Sequence, residues 1–291
     1  MATAGQWVAG ARPRTLPAAI APVAAGTGVA AAEGSLIADR ALLALGVALC
    51  LQVGVNYAND YSDGIRGTDE VRVGPVRLVG QRLAAPTAVK RAAIGCLLAA
   101  AILGLWLVLL AQAWWWLLVG AAAIAASWLY TGGPSPYGYL GLGEVFVFVF
   151  FGPVAVIGTA FVQTAAITAL AVAASLPIGI IAALILVANN LRDIPTDIDS
   201  GKRTLAVVLG DAGTRTLFLV GAIAAFVIVA LLVPAHPGAL AGWAGAVPMA
   251  GAVRGVGGGA SGRGLIPVLV RTSLALLLTG LGLGLGLALV G

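Results

Sequence analysis

Long apolar runs separated by short polar breaks dominate the chain. Nine of these runs have the ~17–25 residues that a helix needs to cross a bilayer. They cover residues 15–33, 41–61, 91–111, 114–131, 144–163, 167–192, 214–233, 239–255 and 267–290. The runs are continuously apolar rather than alternating, which favours helices over the strands of a membrane barrel. The pattern predicts an all-α, polytopic membrane protein with about nine transmembrane helices.

Composition and charge support this prediction. The chain has 291 residues, of which 60% are hydrophobic and 9% charged, whereas a soluble domain carries about 25% charged residues. Of the 16 lysines and arginines, only Arg40 lies outside the N-terminus, the longer loops and their flanks. By the positive-inside rule, we expect a plasma-membrane protein with a cytoplasmic N-terminus and an outer C-terminus. Membrane lipids are expected partners, nucleic acid is not, and the oligomeric state stays open.

A polar stripe interrupts the end of the second run. Asn56, Asn59, Asp60 and Asp63 lie at helical offsets 0, 3, 4 and 7, so a helix presents all four on one face. A charged side chain deep in a bilayer costs about 2.5–3.5 kcal/mol on insertion scales, and the carbonyl end of a helix disfavours anions. A bound cation on the cytoplasmic side would resolve both problems. The alternative is a helix that ends earlier and leaves the stripe solvated.

A second stripe repeats the first near the end of the sixth run. Asn189, Asp193 and Asp197 lie at offsets 0, 4 and 8, and a polar loop with glycine and basic residues follows both stripes. Two such clusters at corresponding places predict an internal duplication that pairs residues 41–90 with 167–214. We expect both halves to belong to one domain that covers the whole chain. Chance similarity between two helix ends is the alternative.

The two stripes have the chemistry of a metal-bridged diphosphate site. Carboxylates and amides without nearby cysteine or histidine favour a hard ion such as Mg2+. The candidate metal ligands, which are also the candidate catalytic residues, are Asn56, Asp60, Asp63, Asp193 and Asp197. The candidate diphosphate-binding residues are Arg66, Arg72, Arg77, Arg192 and Lys202. Basic side chains of this kind bind phosphate oxygens, although membrane topology and anionic lipids also select for them.

Several strings resemble the UbiA superfamily of intramembrane prenyltransferases. NYANDYSD and NNLRDIPTD are similar to its first and second aspartate-rich motifs. The longer strings ARPRTLPAAIAPV, YTGGPSPYGYLGLGE and NNLRDIPTDIDSGKRTLAVVLG resemble the branch that prenylates 1,4-dihydroxy-2-naphthoate for menaquinone synthesis. The match spans nearly the whole chain. The first motif departs from the family spacing, with N-x3-D-x2-D in place of N-x3-D-x3-D.

This resemblance implies a nine-helix bundle around a central cavity that cytoplasmic loops cap. It implies that Mg2+, held by the two aspartate pairs, binds the diphosphate of an allylic polyprenyl substrate. The naphthoate then attacks the allylic carbon and loses CO2, which gives demethylmenaquinone after oxidation. The expected substrate-binding or cation-stabilising residues are Asn59, Asn189, Tyr130, Tyr137 and Tyr139.

Two other functions remain open at this stage. A prenyltransferase for another acceptor, such as 4-hydroxybenzoate, would use the same cluster chemistry. A cation-coupled secondary transporter also places acids and amides in duplicated halves. Both clusters lie at one predicted membrane face, however, and the outer half of the bundle has few polar groups to form a path.

Overall fold

The computed structural model describes residues 2–67 and 76–290, and these residues contain helices and no strand. The α-helices are α1 Ala4–Gly10, α2 Pro17–Ala32, α3 Ala38–Ile65, α4 Pro86–Ala111, α5 Trp116–Leu129, α6 Gly143–Val149, α7 Gly158–Thr164, α8 Ala169–Asp199, α9 Leu205–Leu232, α10 Ala246–Gly257 and α11 Ile266–Val290. Short 3-10 helices cover Pro13–Thr15, Tyr137–Tyr139, Pro237–Gly245 and Gly262–Leu265, and a π-helix covers Phe150–Ile157. The predicted all-α class is confirmed.

The predicted count of nine spans is not confirmed. Within the described ranges, six helices are long and apolar enough to cross a membrane, and the pair of segments Ala4–Thr15 and Pro17–Ala32, bent by 48°, makes a seventh if it counts as one span. α5 is apolar but shorter. α10, which follows a 3-10 helix, is only 12 residues long. The sequence pattern located these shorter apolar segments, but it could not show that they fall below the length of a full α-helical span.

The glycine repeat of the last helix packs α11 against two neighbours. Gly280 and Gly284 face α2, whereas Gly282 and Gly286 face the 3-10 helix Pro237–Gly245. Residues four apart share a helix face, and a shift of two residues reaches nearly the opposite face. The period of two therefore provides two smooth faces on one helix, where small residues let backbones approach closely.

We expect Gly284→Leu to lower the melting temperature of the purified protein in detergent. A Cβ built on Gly284 would lie 2.5 Å from the Ala24 carbonyl oxygen of α2, so a side chain forces the two backbones apart. Overpacking of this kind costs about 1–3 kcal/mol. Gly95→Leu is the matched control, because nothing lies within 4 Å of a Cβ at this exposed position of α4. Equal melting temperatures for the two variants would contradict the packing argument.

At the end of the bundle opposite the aspartates, a basic side chain joins three helices. Arg40, near the start of α3, donates from Nη1 to the Val162 carbonyl at 2.6 Å and from Nη2 to the Leu110 carbonyl at 2.8 Å. These carbonyls belong to the last turns of α7 and α4, where helices leave acceptors unsatisfied. Gln163 adds a link, because its Oε1 accepts the Ile37 N–H at 3.0 Å. Arg40 therefore caps two helix ends at once.

The span that carries the Phe-rich sequence is not a regular α-helix. Between α6 and α7, the residues Phe150–Ile157 form a π-helix that contains Pro153. A proline removes one backbone donor, and π-helical turns accommodate such a gap. The wider turn presents Phe150, Phe151 and Val154 to the interior of the bundle.

Candidate active site

The described residues form a large, partly open cavity that combines polar and apolar walls. It has a volume of 1210 Å³. Its polar end lies between the C-terminal end of α3 and the loop after α8, which Asp63 and Lys202 bring together, and its walls come from α2 to α8, with further residues near the start of α11. The rest of the lining is mostly aliphatic and aromatic. A chamber of this kind can hold a molecule with a charged head and a long apolar tail.

Asp63 is the carboxylate of the first stripe that lines this cavity. It is 3% exposed, and its Oδ1 accepts a hydrogen bond from the Tyr139 hydroxyl at 2.6 Å. Lys202 Nζ lies 3.9 Å from the same oxygen and 4.4 Å from the centre of the Tyr139 ring. Burial raises the pKa of Tyr139, and the charge of Asp63 raises it further, so the phenol stays a proton donor. One contact group thus links α3, the loop before α6 and the loop after α8.

Asp60 has a different environment from Asp63, although both lie on the same stripe. Its Oδ2 accepts the Leu78 N–H at 2.7 Å, and its Oδ1 accepts the Val79 N–H at 3.0 Å. Asp60 is fully buried, and Leu78 packs in the small apolar core beside it. Asp60 therefore anchors the segment that carries Arg77, which is 7% exposed and lines the cavity.

Asn56 of α3 holds the segment that precedes α2 in place. Its Nδ2 donates to the Ala11 carbonyl and to Thr15 Oγ1, both at 2.9 Å. Gln52, one turn earlier, donates from Nε2 to the same Thr15 hydroxyl at 3.0 Å. These bonds hold the segment before α2, in which Arg12 adopts a left-handed conformation with φ of 54° and faces the cavity.

The second stripe also divides into two environments. Asp197 is 2% exposed and lines the cavity, and its Oδ2 accepts a long hydrogen bond of 3.4 Å from Thr204. Asp193 forms a bidentate pair with Arg192, at 2.7 Å to Nε and 2.8 Å to Nη2. Nη2 of Arg192 also donates to Asn189 Oδ1 at 2.7 Å. α8 continues through Pro195 to Asp199, so Asp197 remains on a helix.

A group of aromatic rings in mutual contact forms one wall of the cavity. Tyr137 stacks on Phe146 at 4.1 Å between ring centres, and Tyr130 meets Tyr137 edge-on at 5.5 Å. The Tyr137 hydroxyl donates to the Ala126 carbonyl at 3.0 Å, which fixes the ring. Phe150 extends the stack, and all of these rings line the cavity.

The structure brings most predicted site residues to one cavity. Those that line it are Asn56, Asn59, Asp63, Arg77, Tyr130, Tyr137, Tyr139, Asn189, Arg192, Asp197 and Lys202. In the part of the chain that is described, Asp60, Asp193 and Arg66 do not line it. Arg66 instead donates to the Thr131 and Gly133 carbonyls at the end of α5. Arg72 lies outside the described residues. The roles assigned to all these residues stay predictions.

The carboxylate oxygens at the polar end of the cavity are ligands of the type that Mg2+ prefers. Across residues 2–67 and 76–290, no three His, Cys, Asp or Glu side chains form a ready-made metal cluster. Asp63 and Asp197 nevertheless face the same cavity, and Mg2+ usually takes one or two carboxylates and completes its shell with water and substrate phosphate. The site therefore suits an ion that is held jointly with a diphosphate.

Several cavity residues were absent from the sequence-based set. They are Arg12, Arg14, Thr15, Gln52, Thr131, Asn190 and Thr204. Gln52 extends the first stripe by one helical turn, so its spacing could have identified it. Thr131 donates to Asn59 Oδ1 at 2.8 Å across 72 positions of the chain, a contact that no local pattern predicts.

Comparisons with known proteins identify the family. The sequence model of the UbiA prenyltransferase family matches residues 19–256. The chain is 54% identical to the 1,4-dihydroxy-2-naphthoate octaprenyltransferase of Mycobacterium tuberculosis, over 96% of this chain and 95% of that protein.

Solved structures share the fold. A UbiA homolog from Aeropyrum pernix matches with a TM-score of 0.68 at 17% identity, over 92% of this chain and 96% of that one. A UbiA homolog from Archaeoglobus fulgidus bound to GPP and Mg2+ matches with a TM-score of 0.62 at 13% identity, over 78% and 77% of the two chains. With a family match across most of its length, this integral membrane protein belongs to the UbiA prenyltransferase family.

Proposed function

We propose that this protein transfers a polyprenyl group from an allylic polyprenyl diphosphate to 1,4-dihydroxy-2-naphthoate, with release of diphosphate and CO2. The cavity carries the proposal, because charged groups lie at one end and the remainder is apolar and partly aromatic. The charged end suits a diphosphate and the apolar body a prenyl chain. The 54% identical relative is named for this acceptor.

The residues at the polar end divide the work of binding the diphosphate. Lys202, Arg192 and Arg77 supply positive charge to its oxygens. Asp63 and Asp197 would hold Mg2+, which supplies further positive charge to the departing diphosphate when it is bound. We assign Asp60 and Asp193 to positioning, since Asp60 holds the Arg77 segment and Asp193 holds the Arg192 guanidinium.

The reaction follows from this placement. The C–O bond to the diphosphate breaks, and the faces of the Tyr130 and Tyr137 rings stabilise positive charge on the allylic carbon. The ring carbon that bears the carboxylate bonds to this carbon. The bond between this ring carbon and the carboxylate then breaks. Its electron pair returns to the ring, and CO2 leaves. The product is demethylmenaquinol, which later oxidation converts to demethylmenaquinone.

We place the polar end of the cavity at the cytoplasmic face of the plasma membrane. This orientation rests on the basic residues of the N-terminus and longer loops. The whole chain would form one domain, in which residues 41–90 and 167–214 are two related segments of an internal repeat. Asp63 near the end of α3 and Asp197 near the end of α8 both line the cavity, which is consistent with such a relation.

Turnover by the purified protein in detergent tests the function. The assay supplies octaprenyl diphosphate, Mg2+ and 1,4-dihydroxy-2-naphthoate labelled at its carboxyl carbon. We expect labelled CO2 and prenylated product in equal amounts, and neither when EDTA removes the metal. Prenylation of 4-hydroxybenzoate alone, without CO2 loss, would contradict the proposed acceptor. A folded protein that prenylates neither compound would contradict the proposed function altogether.

A further inference from the structure

A buried carboxyl group lies behind the aromatic wall of the cavity at the start of α6. Glu144 is 6% exposed, and its Oε1 accepts a hydrogen bond from Asn190 Nδ2 of α8 at 2.8 Å. Its Oε2 is buried and has no hydrogen-bond partner among the described residues. Burying a carboxyl group with so few partners costs stability, so packing alone gives no reason for an acid at this position.

The hydrogen bond to Glu144 fixes the orientation of the Asn190 amide. The NH2 group of Asn190 points towards Glu144 and donates to its Oε1, the arrangement that an ionised carboxylate requires because it only accepts hydrogen bonds. The amide oxygen is then directed away from Glu144. Asn190 lines the cavity, whereas Glu144 does not. The pair therefore presents a hydrogen-bond acceptor of fixed orientation to whatever occupies the cavity.

The aromatic wall lies close to this acceptor. A Cβ built on Gly143 would lie 3.0 Å from Leu186 of α8 and 3.3 Å from the Tyr130 ring. The position next to Glu144 is thus where α8 meets the aromatic wall. Phe146, one turn further into α6, stacks on Tyr137. A flat aromatic molecule can stack on these rings while a polar group on its edge reaches Asn190.

We propose that Asn190 accepts a hydrogen bond from a ring hydroxyl of the aromatic acceptor substrate, whose ring lies against Tyr137 and Phe146. This inference rests on the proposed function and identifies where its acceptor binds. Glu144 does not touch the substrate and is a positioning residue that holds the amide of Asn190. A hydroxyl that donates to Asn190 also becomes more electron-releasing towards the ring, which favours attack by a ring carbon.

Asn190→Ala is expected to raise KM for 1,4-dihydroxy-2-naphthoate about tenfold and to leave KM for octaprenyl diphosphate within about twofold. The matched control is Ser127→Ala. Ser127 also lines the cavity, but its hydroxyl donates to the Ala123 carbonyl of its own helix at 2.8 Å. We expect this control to change neither KM.

Variants of Glu144 test whether this residue positions the Asn190 amide or is needed only for the protein to fold. Glu144→Gln keeps an oxygen that accepts from Asn190, so KM for the naphthoate should stay within about threefold of the wild type. Glu144→Leu removes the acceptor and should raise this KM as Asn190→Ala does. Asn190→Asp places two carboxylates together and should weaken binding. Combining it with Glu144→Gln exchanges amide and carboxylate, which restores the hydrogen bond and should recover most of the loss.

The hydroxyl itself is tested with 1-hydroxy-2-naphthoate as a competitive ligand, because it lacks the second ring hydroxyl. If that hydroxyl contacts Asn190, wild-type protein binds this ligand about tenfold more weakly than the diol, and Asn190→Ala binds both equally. An Asn190→Ala protein that binds octaprenyl diphosphate normally and keeps the wild-type KM for 1,4-dihydroxy-2-naphthoate would overturn this proposal alone. Wild-type protein that fails to prenylate the diol would instead overturn the proposed function.

Discussion

Asp197→Asn is expected to lower kcat/KM by at least about 100-fold while the protein keeps its fold. Asp197 is a buried carboxylate that faces the cavity from the last turns of α8. Asparagine has nearly the same shape and still accepts the hydrogen bond from Thr204, so the substitution removes little besides the negative charge. Removing one preorganised electrostatic group from an active site typically costs about 10²–10³ in rate. Turnover measured over a range of Mg2+ concentrations checks this expectation.

Asp199→Asn is the matched control for this variant. Asp199 lies two residues later on the same helix, where its side chain is exposed and does not line the cavity among the residues described. We expect wild-type turnover and the wild-type dependence on Mg2+. If Asp197→Asn also behaved in this way, the proposal that Asp197 holds the metal would be wrong.

Asp60→Asn is expected to release the segment that carries Arg77 and thereby lower turnover by about 100-fold or more. Both oxygens of Asp60 accept backbone N–H groups. An asparagine side chain places an NH2 group against one of these donors, and each buried donor left unsatisfied costs about 1–3 kcal/mol. Limited digestion with trypsin measures the release, because Arg77 is 7% exposed and Leu78 fully buried in the intact protein.

The same digestion provides its own control. Arg263 is exposed in the 3-10 helix Gly262–Leu265, which precedes α11. Cleavage after Arg263 should therefore proceed equally in both proteins, whereas cleavage after Arg77 should accelerate in Asp60→Asn. Equal cleavage after Arg77, together with lost turnover, would assign Asp60 to the metal instead of to the segment.

The spacing of polar residues located the candidate site but did not distinguish its members. Helical periodicity placed Asp60 and Asp63 on one stripe, and α3 does continue through both. Their partners differ. Asp60 accepts the backbone N–H groups of Leu78 and Val79, whereas Asp63 contacts the side chains of Tyr139 and Lys202. Those contacts depend on how distant segments fold back, which a local pattern does not contain.

Asn190 illustrates the same limit. It stands next to Asn189 in the sequence, and periodicity selected Asn189 because it begins the second stripe. The importance of Asn190 arises from Glu144, which is 46 positions away on a different helix. Similarly, apolar runs predicted the helical class, but helix lengths near α5 and α10 depend on 3-10 turns and chain reversals that hydrophobicity does not specify.

The contacts of Arg40 have a consequence for how the protein is made. Its two carbonyl partners, Leu110 and Val162, come 70 and 122 positions later in the chain. During synthesis, α3 therefore reaches the membrane before either partner exists, and the guanidinium group has only water or lipid head groups to interact with. Its charge is matched once the ends of α4 and α7 arrive. Biogenesis of this bundle would thus include a locking step, in which helices inserted later fix the position of one inserted earlier.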